Sequence, residues 1–196
     1  MDAYEFPVRT GKVPQDNGYA LFSALCREVP PLHGRYDIQI APLRGTRCDD
    51  DKNIRMDRGS ILHIRGITAE EALKIQGCGR LFVGDQVLFL DPCRMRALVP
   101  SPLLVSRLTI LPDMVGEMEF LATLGGLVPT GTQVRLGRKR ALSYKGRKYL
   151  GYSVVLTGLT SDDSLRIQER GIGKFTSQGC GVFYPGSPRT GAKRAA

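Results

Sequence analysis

The sequence predicts an α+β chain of two successive halves, each running strand–helix–strand–strand–helix–strand. Three observations predict it. A segment near residue 70 recurs near residue 160, strand-like and helix-like runs follow one order in both halves, and Pro92, Pro100 and Pro102 punctuate the stretch between them. Residues 66–76 (GITAEEALKIQ) align with residues 158–168 (GLTSDDSLRIQ) at an offset of 92, with five of eleven positions identical and the rest conservative exchanges. Each copy follows a β-branched strand and opens on a threonine suited to cap a helix. Glu71 completes a capping box in the first copy, and Asp163 is a shorter stand-in in the second.

In order, Phe6–Arg9 is a short apolar strand. Asp16-Asn17 caps a helix over 18–28 whose apolar positions 21, 22, 25 and 29 recur at helical spacing. Pro30-Pro31 ends it and leaves Leu32, His33 and Gly34 on a loop. Residues 36–40 alternate as a strand does, and 44–59, polar and of mixed charge, read as an exposed loop. Residues 60–65 form the next strand, 68–76 a helix, and 80–90 a hairpin turned at Gly84-Asp85. In the second half, 103–110 is a strand and 112–124 a helix opened by Pro112-Asp113. Strands over 132–136 and 149–157 flank a basic connection, and a helix over 160–170 leads to a last strand at 181–184. Both halves carry the ferredoxin-like, RRM-like βαββαβ pattern. The boundaries expected are an N-terminal domain at 1–98 and a C-terminal domain at 99–185. A tail at 186–196 has nothing apolar to bury and is expected to be disordered.

Lys and Arg number 28 against 19 acids, a net charge of +9, which points to a polyanionic partner, most often nucleic acid. The sequence has no tryptophan and only seven tyrosines and seven phenylalanines, so phosphate contacts and shape are favoured over an aromatic platform. There is no apolar run long enough to span a membrane and no basic-then-apolar N-terminus, so a cytoplasmic location is the default expectation. Five cysteines without a C-x-x-C pair and two distant histidines support neither a disulfide framework nor a zinc site. Asp49-Asp50-Asp51 reads as a solvated run, and Asp162-Asp163 suits the positive end of a helix dipole.

Two segments carry the candidate chemistry. Residues 137–149 (GRKRALSYKGRKY) hold six of the 28 basic residues, Arg138, Lys139, Arg140, Lys145, Arg147 and Lys148, interleaved with Tyr144 and Tyr149. Such a hairpin can lie along a nucleic-acid backbone and release counterions; a merely solvated edge is the alternative. Residues 171–181 (GIGKFTSQGCG) place Gly171, Gly173, Gly179 and Gly181 as two G-x-G pairs around Lys174. Glycines let a backbone approach a ligand, and successive amides can form an anion-binding nest. The helix–loop–strand order is the reverse of the strand–loop–helix order of nucleotide sites, which argues for another polyanion.

This loop, the doubled fold and the basic balance resemble the CRISPR-associated endoribonucleases of the repeat-associated mysterious protein superfamily, which cut precursor CRISPR RNA. The loop matches the family pattern at every glycine and at Lys174. Residues 18–25, followed by Pro31-Leu32-His33, resemble the short variant of that enzyme, and the likeness covers residues 4–185. It implies cleavage without metal or cofactor, by attack of a 2′-hydroxyl that leaves a cyclic phosphate and a free 5′-hydroxyl. It also implies a stem-loop of CRISPR repeat RNA as substrate and other subunits of a ribonucleoprotein complex as partners. A non-catalytic RNA-binding subunit of such a complex is the alternative. Histidine suits the acid and base roles. His33, on its Pro- and Gly-flanked loop, lies where related enzymes carry a catalytic histidine. His63 sits mid-strand, where a structural role is commoner. Tyr19 is a candidate for proton donation or RNA orientation, with packing at a helix start as the equal alternative. Lys174 and the loop amides are expected to hold phosphate.

Overall fold

The computed structural model describes residues 2–48, 53–112 and 116–186. Its contacts divide the chain into two compact units. One contains residues up to Ala97 together with Ser177–Gly179; the other contains Leu98–Thr176 and the residues from Cys180 onward.

In the first unit, β1 (Asp2–Thr10), β2 (Lys12–Pro14), α1 (Gly18–Glu28), a 3-10 turn at Pro30–Leu32, β3 (Gln39–Ile40), β4 (Thr46–Arg47), β5 (Asn53–Arg55), β6 (Ile61–Arg65), α2 (Ala69–Cys78), β7 (Arg80–Val83), β8 (Gln86–Leu90) and β9 (Arg94–Ala97) follow in order. The main sheet runs β3-β6-β1-β8-β7, with β9 also on β1, and every pairing is antiparallel. With β8 as the fourth strand, this is the second–third–first–fourth order of a ferredoxin-like sheet. Period-2 alternation puts Phe6, Leu62, Ile64, Leu81 and Leu88 on one face, where they pack with Leu21 and Leu25 of α1 and Ile75 of α2.

The second unit repeats the plan with β10 (Leu103–Thr109), α3 (Glu117–Leu127), β11 (Gln133–Tyr144), β12 (Arg147–Thr157), α4 (Ser161–Arg170), a 3-10 turn at Thr176–Gln178 and β13 (Tyr184–Pro185). Its sheet order, β11-β12-β10-β13, is again second–third–first–fourth. Leu104, Phe120, Leu124, Tyr152, Val154, Leu156 and Ile167 form its core.

The repeated segments owe their likeness to shared mechanical tasks. Gly66 and Gly158 both turn at positive φ, 81° and 79°. Thr68 and Thr160 each accept the amide three residues on. Glu71 reaches back to the Thr68 amide, completing the box, whereas the shorter Asp163 accepts the Thr160 hydroxyl instead. Ile75 and Ile167 are buried. Gln76 accepts the Cys93 amide and Gln168 donates to the Val99 carbonyl, so each glutamine tethers a stretch of the proline-marked junction.

Several expectations are corrected. Asn17 stands at the N-cap of α1 without capping it; its amide is buried and exchanges hydrogen bonds with Leu43 while donating to Pro14. The strand expected over 36–40 is confined to Gln39–Ile40, because Arg35 binds Asp37, Glu71 and the Gly66 carbonyl and leaves Tyr36 93% exposed. The polar stretch 44–59 is no simple loop: β4 and β5 join β2 in a small sheet that buries Ile54 and Met56. The helix expected from Pro112 begins at Glu117, and Asp113 lies outside the described residues. The strands expected at 132–136 and 149–157 lengthen into one hairpin, and that expected at 181–184 shrinks to Tyr184–Pro185. Gly186 still donates to Leu103; the rest of the tail and the run Asp49–Asp51 lie outside the described residues.

Candidate active site and nucleic-acid interface

Two prolines and one buried leucine position His33. Pro30 and Pro31 preset the 3-10 turn, Leu32 is fully buried, and the His33 amide donates to the Pro30 carbonyl at 3.0 Å. Gly34 at φ +81° turns the chain away, and Arg35 is clamped through Asp37 and Glu71. The backbone is thus held on both sides while the imidazole is exposed. Those carboxylates raise the Arg35 guanidinium pKa, and Arg35 in turn lowers that of Asp37.

His63 differs. It faces Glu5 across β1 and β6, with Nδ1 3.5 Å from the carboxylate and the side chain only 28% exposed. Burial pushes its pKa below the ordinary value; Glu5 pulls it up, while Arg65, Arg44 and Arg96 push it further down. The unfolded chain therefore binds this proton more readily than the folded one, so acid favours unfolding. Lowering the pH from 7.5 to 5 is expected to reduce the urea unfolding midpoint, and His63→Gln should remove part of that loss. An identical pH slope in the variant would show that His63 does not contribute.

Tyr19 lies in the first turn of α1, 40% exposed. Its neighbour Gly18 is buried, and a Cβ there would overlap the Gln178 carbonyl oxygen. Gly179, at φ +85°, presses on Pro42 in the same way. Residues 177–179 of the glycine loop therefore pack against the start of α1 beside Tyr19. His33 lies just beyond the far end of this helix, whose eleven residues span about 16 Å.

In the second unit the glycine loop does something the sequence reading did not foresee. Its glycines serve the fold's own close packing. Gly171, Gly173 and Gly181 have φ of 67°, 90° and 63°. A Cβ on Gly173 would overlap the Ile110 carbonyl, and one on Gly181 the Ile172 carbonyl. The amides of Gly171, Ile172, Lys174, Cys180 and Gly181 donate to Ile167, Gly181, Ile110, Phe175 and Leu108. Those five are not available to an anion, which corrects the expected nest. The side chain of Lys174 remains exposed.

The residue that reasoning from sequence missed is Phe175. It takes φ +67°, unusual for a side chain of its size. Its ring sits between Tyr144 (centroids 5.3 Å apart) and Tyr149 (4.7 Å), one from each strand of the basic hairpin. These three pack with Leu108, Ile110, Leu142 and Cys180. The interleaved tyrosines are thus occupied in holding the loop to the hairpin. An aromatic beside Lys174 was the only signal in the sequence.

The hairpin turns at Lys145-Gly146, both at positive φ (48° and 74°), the two-residue turn that matches strand twist. A bulge at Gly137-Arg138, opposite Ser153, shifts the register. Beyond it, Arg140 and Arg147 share the face of Leu142 and Tyr144, while Lys139 and Lys148 lie on the other. Lys139 stands 5.9 Å over the Tyr152 ring and Lys145 5.5 Å over Tyr144. Arg138, Lys139, Lys145, Arg147 and Lys148 are exposed and Arg140 is half-buried, so the hairpin presents positive charge from both faces. Among the described residues, no three His, Cys, Asp or Glu side chains gather where they could hold a metal ion.

The family model described as Cas6 Crispr matches residues 3–187. The chain is 35% identical over 183 residues to the CRISPR-associated endonuclease Cas6 of Myxococcus xanthus (strain DK1622), covering 92% of this chain and 79% of that protein. It shares its fold with a Cas6-related protein from Pyrococcus furiosus (TM-score 0.66, 11% identity, 95% of this chain and 98% of that one). It likewise resembles a structure described as an RAMP protein binding different RNA substrates (TM-score 0.68, 10% identity, 95% and 100%). With the doubled ferredoxin-like fold and the glycine loop, these matches establish that the chain belongs to the Cas6 family of CRISPR-associated proteins.

Proposed function

We propose that the protein is a metal-independent endoribonuclease that cuts CRISPR repeat RNA at a stem-loop and then stays bound to the product within a ribonucleoprotein complex. The observation that carries this reading is the placement of His33: an exposed imidazole on a braced turn, in a chain whose other histidine is tied down beside Glu5. In the reaction, the 2′-hydroxyl loses its proton to a base and its oxygen bonds to the adjacent phosphorus. The bond from phosphorus to the 5′-oxygen breaks, and an acid supplies that oxygen with a proton. A cyclic phosphate and a 5′-hydroxyl result. His33 performs one of the two proton transfers. Tyr19, a hydrogen-bond donor about one helix length from His33 at the other end of α1, orients the RNA away from the scissile phosphate. The exposed bases of the hairpin and Lys174 hold phosphates of the stem through charge and shape.

The test uses the full chain with its repeat RNA in excess chelator. Cleavage is expected to persist, to yield a cyclic phosphate end, and to stop when the attacking nucleotide carries a 2′-deoxy substitution. Loss of activity on chelation, restored by magnesium, would overturn the metal-independent reading. Tight binding with no cut at any pH would favour a non-catalytic subunit.

A further inference from the structure

The first unit's sheet has a face turned away from α1 and α2, and its β7–β8–β9 side is open. There Leu81, Val83 and Leu88 point into the core, so Arg80, Phe82 and Phe89 point out. Phe82 and Phe89 are each 45% exposed, although apolar rings of this size are usually covered. Register places Arg80 directly opposite Phe89, and the Arg80 guanidinium lies 5.4 Å from the Phe82 ring centroid. β6 occupies one edge of β1 at residues 3–7, so β9, which pairs with residues 2–5, continues along the edge that β8 uses. Arg94 and Arg96 pair with Glu5 and Ala3 and extend the same face. Phe89 opposite Thr10 and Arg94 opposite Glu5 are roughly 16 Å apart by strand rise. Arg80 and Arg94 have no ion-pair partner among the described residues, and Arg96 reaches only to Glu5, at 3.8 Å.

Two exposed rings with arginines beside and beyond them match a strand that is anionic along its backbone and aromatic along its bases. We propose that this face binds single-stranded RNA, two bases stacking on Phe82 and Phe89 and phosphates meeting Arg80, Arg94 and Arg96. The choice of RNA rests on the proposed nuclease reading; the stacking geometry stands apart from it. Stacking on exposed aromatics of a sheet is how single strands are commonly held, and it tolerates sequence because every base has a π-face. A protein strand adding to the edge is disfavoured, because Arg27 already donates to the Phe82 carbonyl on the outer side of β7. The platform was not expected from composition: two phenylalanines suffice when register sets them at diagonal positions of adjacent strands on an open face.

The test measures fluorescence anisotropy with two labelled, cleavage-resistant 2′-deoxy-substituted probes: a single-stranded 12-mer of mixed sequence and a blunt hairpin without single-stranded flanks. Phe82→Leu with Phe89→Leu keeps apolar bulk and removes the π-faces. This double variant is expected to weaken binding of the single strand about tenfold or more, to leave hairpin binding within about twofold, and to keep the wild-type melting temperature. Phe82→Tyr with Phe89→Tyr should bind the single strand as wild type does. Unchanged single-strand affinity in the leucine variant overturns the proposal, as does a wild-type protein that binds the hairpin and ignores the single strand. Neither readout needs cleavage, so a failed nuclease assay and a failed platform remain distinguishable.

Discussion

Replacing His33 with alanine is expected to slow single-turnover cleavage of repeat RNA about 10²–10⁴-fold, the usual loss when one proton-transfer group is removed. Binding should change little, because the imidazole sits on a turn whose shape is set by Pro30, Pro31, buried Leu32 and clamped Arg35. The informative result is therefore a split: the rate at saturating enzyme collapses while the dissociation constant for uncleavable repeat RNA stays within about twofold. His63→Gln is the matched control, expected to cut at close to the wild-type rate, since His63 is engaged with Glu5 in the sheet. Full activity in His33→Ala would remove it from the reaction and throw the chemistry onto other groups.

The second large effect reverses an ordinary rule. Glycine to alanine at a helical position normally stabilises by about 0.5–1 kcal/mol. Gly125 and Gly126 in α3 should obey it, for nothing lies within 4 Å of an added methyl at either position. Gly18→Ala should do the opposite and cost roughly 1–3 kcal/mol, as overpacking of a closed contact does. The Gln178 backbone already fills the space. Urea unfolding of the three variants side by side checks this. Because Tyr19 is the next residue, Gly18→Ala should also lower the cleavage rate. Equal stability of Gly18→Ala and wild type would mean that residues 177–179 do not press on α1 as described.

What was legible in the sequence was what local chemistry repeats. The capped helices, their glycines and their glutamines recur at an offset of 92, and from them the two ferredoxin-like halves follow. Pro30-Pro31 and Gly34 mark the turn that exposes His33. The small sheet of β2, β4 and β5 was not legible, because strands of two or three residues, each with at most one buried apolar side chain such as Val13 or Ile54, are too short to show a periodicity. The purpose of the glycine loop was misread for another reason. Positive φ and close approach look alike in a sequence whether the thing approached is a phosphate or the chain's own carbonyls, and here Ile110, Ile172 and Leu108 supply those carbonyls. Phe175 escaped notice because its partners, Tyr144 and Tyr149, are about thirty residues away and meet it only through the register of the hairpin.

The wedge of Phe175 between these tyrosines has a consequence for how the basic arm yields to a ligand. A long two-stranded arm would ordinarily bend from its root. This one is gripped near its far end, since Tyr144 is the last paired residue of β11 and Tyr149 lies only two residues into the returning strand from Arg147. Only Lys145, Gly146 and the side chains of Arg147 and Lys148 lie past or beside the grip. In the proposed function the arm would therefore meet RNA as a stiff rod with a short pliable tip, so that adjustment to different stems is confined to that tip while the charges nearer the root keep a fixed spacing.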